Sequence, residues 1–267
     1  MPKAEGGSPA TCRGAVPIMP TFIGLDLAWS PKKESGICWL TGDSVESLRC
    51  TRLGAEVSNM EEIAEEISRV DGSVVVTIDA PVLYSPERDV EREIARRFGK
   101  YKAAAHSPHP HVKAGRKTGI DLGEALCKRG FTCDPRSLLK GDRPTRTAVE
   151  VYPHTIHVRL FKLAERLKYK KGRVADKRAG LLQYQWHLEA LIGKVAPKVL
   201  DCVDVQIALD PETARSARGK SLKRLDDTLD GLTCALAAYL IWKEPERWEM
   251  IGDLNGYIAV PRDHQPG

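Results

Sequence analysis

The first part of the chain alternates short apolar runs with one segment of helical periodicity. The first run ends in Asp26 and polar turn residues, and a later run ends in Asp79. Both are typical of buried strands that end at a charged residue. Between them, two shorter runs flank a Gly-Asp-Ser turn, as in a hairpin. The pattern predicts strands at 21–28, 36–41 and 45–51, a helix at 59–70 and a strand at 73–79.

In the rest of the chain, the pattern of apolar residues predicts mainly helices. A strand that contains Glu150 and stops at Pro153 interrupts them, and a helix rich in Leu and Ala comes late in the chain. The predicted elements are helices at 86–98 and 119–128 with a basic loop at 100–119 between them, a strand at 147–152, mostly helical residues 154–200 with a break near 170–172, a helix at 222–242 and a short strand or turn at 251–260.

This order predicts an α/β protein with a ribonuclease H-like fold. We expect a five-stranded mixed sheet, three antiparallel strands followed by two parallel ones, flanked by helices. Residues 19–261 would form a single domain with a helical insertion at about 85–146, and residues 1–18 a disordered tail. In such a sheet the first and fourth strands are neighbours, so Asp26 and Asp79 would face each other.

Composition and charge narrow the class of protein. The chain has 267 residues, a net charge of +5 and seven cysteines without a Cys-x-x-Cys pair. It contains no apolar run of the roughly 20 residues that a membrane helix needs, so we expect a cytoplasmic protein with reduced thiols and no membrane partner. Basic residues cluster at 159–178 and 215–224, which suits nucleic acid, although solvated helix faces also carry such clusters.

Two carboxylates in the late apolar helix are the main chemical signal. Asp227 and Asp230 are three residues apart and lie on neighbouring faces of one helix. Burying them beside Leu and Ala costs several kcal/mol unless a cation or another partner compensates. Together with Asp26 and Asp79 they would form a cluster that Mg²⁺ or Mn²⁺ neutralises. Two such ions about 3.5–4 Å apart can hydrolyse a phosphodiester without a Ser or Cys nucleophile.

Several motifs in this order also resemble those of the DUF429 family of predicted ribonuclease H-like nucleases. They are Ile23-Gly-Leu-Asp-Leu-Ala28, Thr77-Ile-Asp-Ala-Pro81, Val149-Glu-Val-Tyr-Pro153, Tyr169-Lys-Lys-Gly172, Asp226-Asp-Thr-Leu-Asp-Gly231 and Gly256-Tyr-Ile-Ala-Val-Pro261. The resemblance implies a metal-dependent nuclease. It implies that Asp26, Asp79, Asp227 and Asp230 are catalytic metal ligands at the acidic positions of Holliday-junction resolvases. Glu150 would join this site or support it from outside.

Most candidates also have a structural alternative, whereas Asp26 is hard to explain structurally because a charge in a buried strand needs a partner. Asp79 can cap the following turn, Asp227 can stabilise a helix N-terminus, and Glu150 can pair with a Lys or Arg. Three lysines could hold a substrate phosphate or simply keep the surface soluble, namely Lys168, Lys170 and Lys171. Trp29, just after the first strand, is typical of packing and less often of a base-stacking platform.

Two rival functions stay open. One is a kinase-like ATPase of the same superfamily, and the other is a non-catalytic module that binds nucleic acid or protein. A homodimer is also possible, because resolvases act as dimers. The nuclease interpretation requires that the strand aspartates lie beside the acids of the late helix. It also requires that no lysine or arginine side chain fill the space between them.

Overall fold

A five-stranded mixed sheet forms the centre of the protein. The computed structural model describes residues 18–30, 32–57 and 59–263, so most of the predicted tail lies outside the described residues. The strands are β1 (Thr21–Asp26), β2 (Glu34–Thr41), β3 (Arg49–Val57), β4 (Val74–Ile78) and β5 (Arg146–Glu150). Their order is β3-β2-β1-β4-β5. The first three are antiparallel, and β4 and β5 run parallel to β1. The predicted ribonuclease H-like layout is confirmed.

Helices and a small second sheet surround this sheet. The helices are α1 (Met60–Ser68), α2 (Val90–Phe98), α3 (His109–Lys113), α4 (Thr118–Cys127), α5 (Arg136–Leu139), α6 (Pro153–Leu160), α7 (Val174–Val195), α8 (Val203–Leu209), α9 (Pro211–Ser216) and α10 (Lys220–Lys243). The second sheet pairs β6 (Trp248–Asp253) with β7 (Gly256–Pro261). The predicted last strand is therefore an antiparallel pair. The predicted basic loop also contains a short helix, α3.

The predicted hairpin begins its second strand too early. Residues 44–48 form a turn, because the Ser47 hydroxyl accepts from the backbone N–H groups of Asp43 and Ser44 at 3.0 Å. The Leu48 N–H also donates to the Ser44 carbonyl. These local bonds replace ladder pairing, so β3 starts only at Arg49.

Helix α10 lies directly on the sheet, because glycines let the two backbones approach closely. A Cβ atom on Gly24 of β1 would collide with the Ala235 backbone, and one on Gly36 of β2 would collide with the Asp227 backbone. The Thr77 hydroxyl of β4 donates to the Cys234 carbonyl of α10 at 2.6 Å. These contacts place the acidic N-terminal half of α10 over the ends of β1 and β4.

The insertion contributes to two cores. Helix α4 packs against α1 and adds Leu122 and Leu126 to the main core. Helix α2 instead packs on β6 and β7 in a smaller core, whose members are Val90, Ile94, Phe98, Ala103, Val158, Ile251, Ile258 and Val260. Among the described residues, no helix combines the length and apolarity needed to cross a membrane.

Candidate functional site

Two parallel strands bring the first two acids together. Asp26 is the last residue of β1, and Asp79 directly follows β4. The two strands pair in register, with Leu25 opposite Ile78. The Asp79 N–H then donates to the Leu25 carbonyl at 2.8 Å. Since the carboxyl ends of parallel strands meet at one edge, both carboxylates lie at the same end of the sheet.

Helix α10 supplies the third acid, Asp230, which is fully buried. One carboxylate oxygen from each of Asp26, Asp79 and Asp230 lies within 4.8 Å of the other two. The Oδ2 atom of Asp26 is buried and accepts no hydrogen bond from another described residue. Three hard oxygen ligands with an unsatisfied buried atom fit a divalent cation such as Mg²⁺ or Mn²⁺.

Two tyrosines hold Asp230 from the opposite side. The hydroxyl groups of Tyr169 and Tyr184 donate to its Oδ1 atom at 2.8 and 2.9 Å. Both rings are buried, so the Asp230 carboxylate has a fixed orientation. Tyr169 belongs to a motif noted in the sequence, but no spacing or pattern pointed to Tyr184 of α7.

Lys170 lies among the three carboxylates. Its Nζ atom is 2.6 Å from Asp230 Oδ2 and 3.9 Å from the Oδ2 atoms of both Asp26 and Asp79. The nuclease interpretation of the sequence required that no lysine lie between these acids. The structure contradicts that requirement, because Lys170 lies there. Lys170 belongs to the irregular segment between α6 and α7, and 30% of its side chain is exposed. Its ammonium therefore occupies the position of a cation among the three acids.

Burial and mutual repulsion set the protonation of this cluster. Burial raises the pKa of Asp26 and raises that of Asp79 further, and the neighbouring carboxylates add to both shifts. Burial alone would also raise the pKa of Asp230, but Lys170 holds it below its ordinary value. Burial would lower the pKa of Lys170, but the carboxylates raise it well above its ordinary value. The ion pair is therefore charged at neutral pH.

Asp227 lies beside the cluster but outside it. Its carboxylate pairs with Lys223 one turn earlier on α10, and it hydrogen-bonds to the Asp26 carboxyl group. Burial and the Asp26 charge raise the pKa of Asp227 to about 7. The structure therefore brings together three of the four predicted metal ligands. The fourth, Asp227, pairs with Lys223 beside them.

Glu150 has a different partner from the other acids. Both of its oxygens accept from the Arg88 guanidinium, with the shorter contact 2.5 Å and the longer 2.9 Å. Glu91 pairs with the same guanidinium at 2.6 Å. The Arg88 side chain is fully buried, so this triad joins α2 to the end of β5. This geometry is the structural alternative stated for Glu150, an ion pair with an arginine, although the sequence did not reveal which arginine.

A cavity of about 890 Å³ opens over the cluster, and basic side chains line it. Six of these side chains form no ion pair with another described residue: Lys32, Lys33, Arg116, Arg166, Lys171 and Lys220. Of the three predicted phosphate-binding lysines, Lys171 lines the cavity and Lys170 lies among the acids. Lys168 instead pairs with Glu165 at 2.7 Å and is not part of the cavity lining.

Comparison with known proteins gives the family. The model of a family described as "Protein of unknown function (DUF429)" matches residues 24–249. The chain belongs to the DUF429 family, as its motifs indicated. No curated protein and no solved structure matches it.

Proposed function

We propose that the protein binds one divalent cation, Mg²⁺ or Mn²⁺, and hydrolyses phosphodiester bonds of DNA or RNA in the cytoplasm. The observation that carries this proposal is the convergence of Asp26, Asp79 and Asp230 within 4.8 Å. Three carboxylates in one buried pocket repel each other, and the single charge of Lys170 balances only part of theirs. A divalent cation would compensate them more fully.

Lys170 changes the form of this proposal. A two-metal mechanism requires two ions about 3.5–4 Å apart, whereas the three acids gather around one position, which the Lys170 ammonium occupies. We therefore propose a single ion that exchanges with the ammonium. Released from Asp230, Lys170 would project into a cavity that already holds Lys171 and Arg166. There it would pair with a substrate phosphate.

The residues of the chain have distinct roles in this proposal. Asp26, Asp79 and Asp230 would hold the cation, which would supply Lewis-acid polarisation of the phosphodiester. Tyr169 and Tyr184 keep the Asp230 carboxylate oriented toward the cluster. Asp227, with a pKa of about 7, is suited to accept a proton near neutral pH. The unpaired basic residues of the cavity would hold the phosphates on either side.

The position of Lys170 also favours a second candidate, a non-catalytic nucleic-acid-binding module. If the ammonium never leaves the acids, the site is internally compensated and no metal enters. The basic cavity would then bind a strand without cleaving it.

Metal titration and a panel of cleavage substrates distinguish the nuclease from the non-catalytic binding module. We expect calorimetry to show saturable Mn²⁺ binding by the wild type, with the binding lost in Asp26→Asn. The control is Asp204→Asn, which removes an exposed acid of α8. Single-stranded, duplex, hybrid and branched substrates are then incubated with Mn²⁺. Cleavage that Asp26→Asn abolishes would support the nuclease, whereas an absence of Mn²⁺ binding would reject it.

A further inference from the structure

We propose that Trp29 is a stacking site for an unpaired nucleobase, so that the cavity takes single-stranded nucleic acid. This inference rests on the proposed function, because it concerns the strand that would enter the acidic site. It specifies the class of substrate, which the acidic cluster leaves undefined.

The position of Trp29 gives the first argument. It follows β1 and lies three residues after Asp26, and its side chain is only partly buried. It lines the cavity over the acids and also a neighbouring cavity of about 900 Å³. Ser30, Val57 and Arg116 line both cavities as well. The indole therefore lies on the path that leads from the acids to the second cavity.

The partner of the indole gives the second argument. The His111 ring of α3 stacks on Trp29, with the ring centroids 4.2 Å apart and the ring planes 17° from parallel. Its Nδ1 atom is buried and has no hydrogen-bond partner among the described residues. Burial and Arg116 hold the pKa of His111 below its ordinary value, so the ring is uncharged at neutral pH. The result is a flat two-ring stack at the cavity wall, which a nucleobase could extend.

The surrounding charges give the third argument. Exposed Lys32, Lys33 and Arg116 lie near Trp29 in sequence or share its cavities. None of the three forms an ion pair with another described residue. Aromatic platforms beside unpaired cations bind single strands, because each base offers a π face while the cations follow the phosphates. In a duplex the neighbouring base pairs cover those faces, so an unpaired base is required.

Binding of labelled oligonucleotides tests the inference without catalysis. Fluorescein-labelled 12-mers of DNA and RNA are titrated with protein in EDTA and again in Ca²⁺, and anisotropy is measured. We expect Trp29→Ala to weaken binding roughly 5- to 150-fold, the range for loss of one stacked base. Trp29→Phe should retain most of the affinity. Trp186→Ala is the matched control, because Trp186 of α7 is 66% exposed and lines neither cavity.

A scan with abasic positions keeps the wild-type protein intact, in case Trp29→Ala folds poorly. One abasic position should weaken binding to the wild type but have no further effect on Trp29→Ala. Equal binding by the wild type and Trp29→Ala, or no oligonucleotide binding in either buffer, would overturn the inference. Trp29-dependent binding without cleavage in Mn²⁺ would reject the nuclease and retain the stacking site. Cleavage that is independent of Trp29 would support the nuclease and reject the stacking site.

Discussion

Replacing Lys170 with methionine is the sharpest test of the acidic cluster. The substitution keeps a side chain of similar length but removes the ammonium from among Asp26, Asp79 and Asp230. Two opposite effects should follow. The metal-free protein should lose stability, because three buried carboxylates lose their shared partner. The affinity for Mn²⁺ should rise, because the ion no longer has to displace an ammonium.

The geometry sets the size of the first effect. At an effective dielectric constant of about 20, the 2.6 Å contact with Asp230 corresponds to an attraction of roughly 6 kcal/mol. Each 3.9 Å contact adds roughly 4 kcal/mol. Desolvation offsets most of this sum, and breaking buried pairs costs about 3–5 kcal/mol. Since 30% of the Lys170 side chain is exposed, we expect a loss of about 2–4 kcal/mol at pH 8.

The loss should depend on pH and on metal. Burial raises the pKa values of Asp26 and Asp79, so acidification protonates these groups readily and the loss should shrink toward pH 5. Saturating Mn²⁺ should restore about 2.7 kcal/mol at 100 times its dissociation constant. We expect the variant to bind Mn²⁺ about 10- to 100-fold more tightly than the wild type, which corresponds to about 1.4–2.8 kcal/mol.

Urea unfolding with and without Mn²⁺ measures both effects. Lys168→Met is the matched control, because Lys168 is two residues away, exposed, and paired with Glu165. It should change stability by less than about 0.5 kcal/mol. If Lys170→Met were as stable as the wild type and bound Mn²⁺ no better, the ammonium would not compete with a cation. The single-ion proposal would then fail.

Three further predictions concern neighbouring parts of the structure. Calorimetry should show that Mn²⁺ affinity rises between pH 6 and 8, because the pKa of Asp227 is about 7. The rise should be up to about tenfold per pH unit for each released proton. An affinity that does not change with pH would contradict this. Gly36→Ala should cost about 3 kcal/mol in urea unfolding, because its Cβ meets the Asp227 backbone. Gly54→Ala, with no atom within 4 Å of its Cβ, should be nearly neutral, and equal losses would refute the close approach of α10. Arg88→Met should cost about 3–5 kcal/mol at neutral pH and less in acid, because it leaves Glu150 buried without its partner. Arg92→Met, which removes an exposed pair, is its control and should change stability by less than about 0.5 kcal/mol.

Strand order and the acidic site were predictable to different degrees. Apolar runs that end in Asp26 and Asp79, followed by a late apolar helix with Asp230, were enough to predict which chain segments meet. The start of β3 was missed because Ser47 forms local hydrogen bonds that an apolar pattern does not show. The partner of Glu150 was missed because Arg88 is 62 residues away along the chain.

The sequence by itself determined the order of the elements, because hydrophobic periodicity is a local property that burial imposes on each strand and helix. It also determined that acids end two strands and enter the late helix. Only the tertiary structure decided which acids meet. Asp230 joins Asp26 and Asp79, whereas Asp227, on the neighbouring face of the same helix, pairs with Lys223. The tertiary structure also decided that Lys170, from an irregular segment, lies within the acidic cluster. Its placement depends on long-range charge and packing, which no local pattern records.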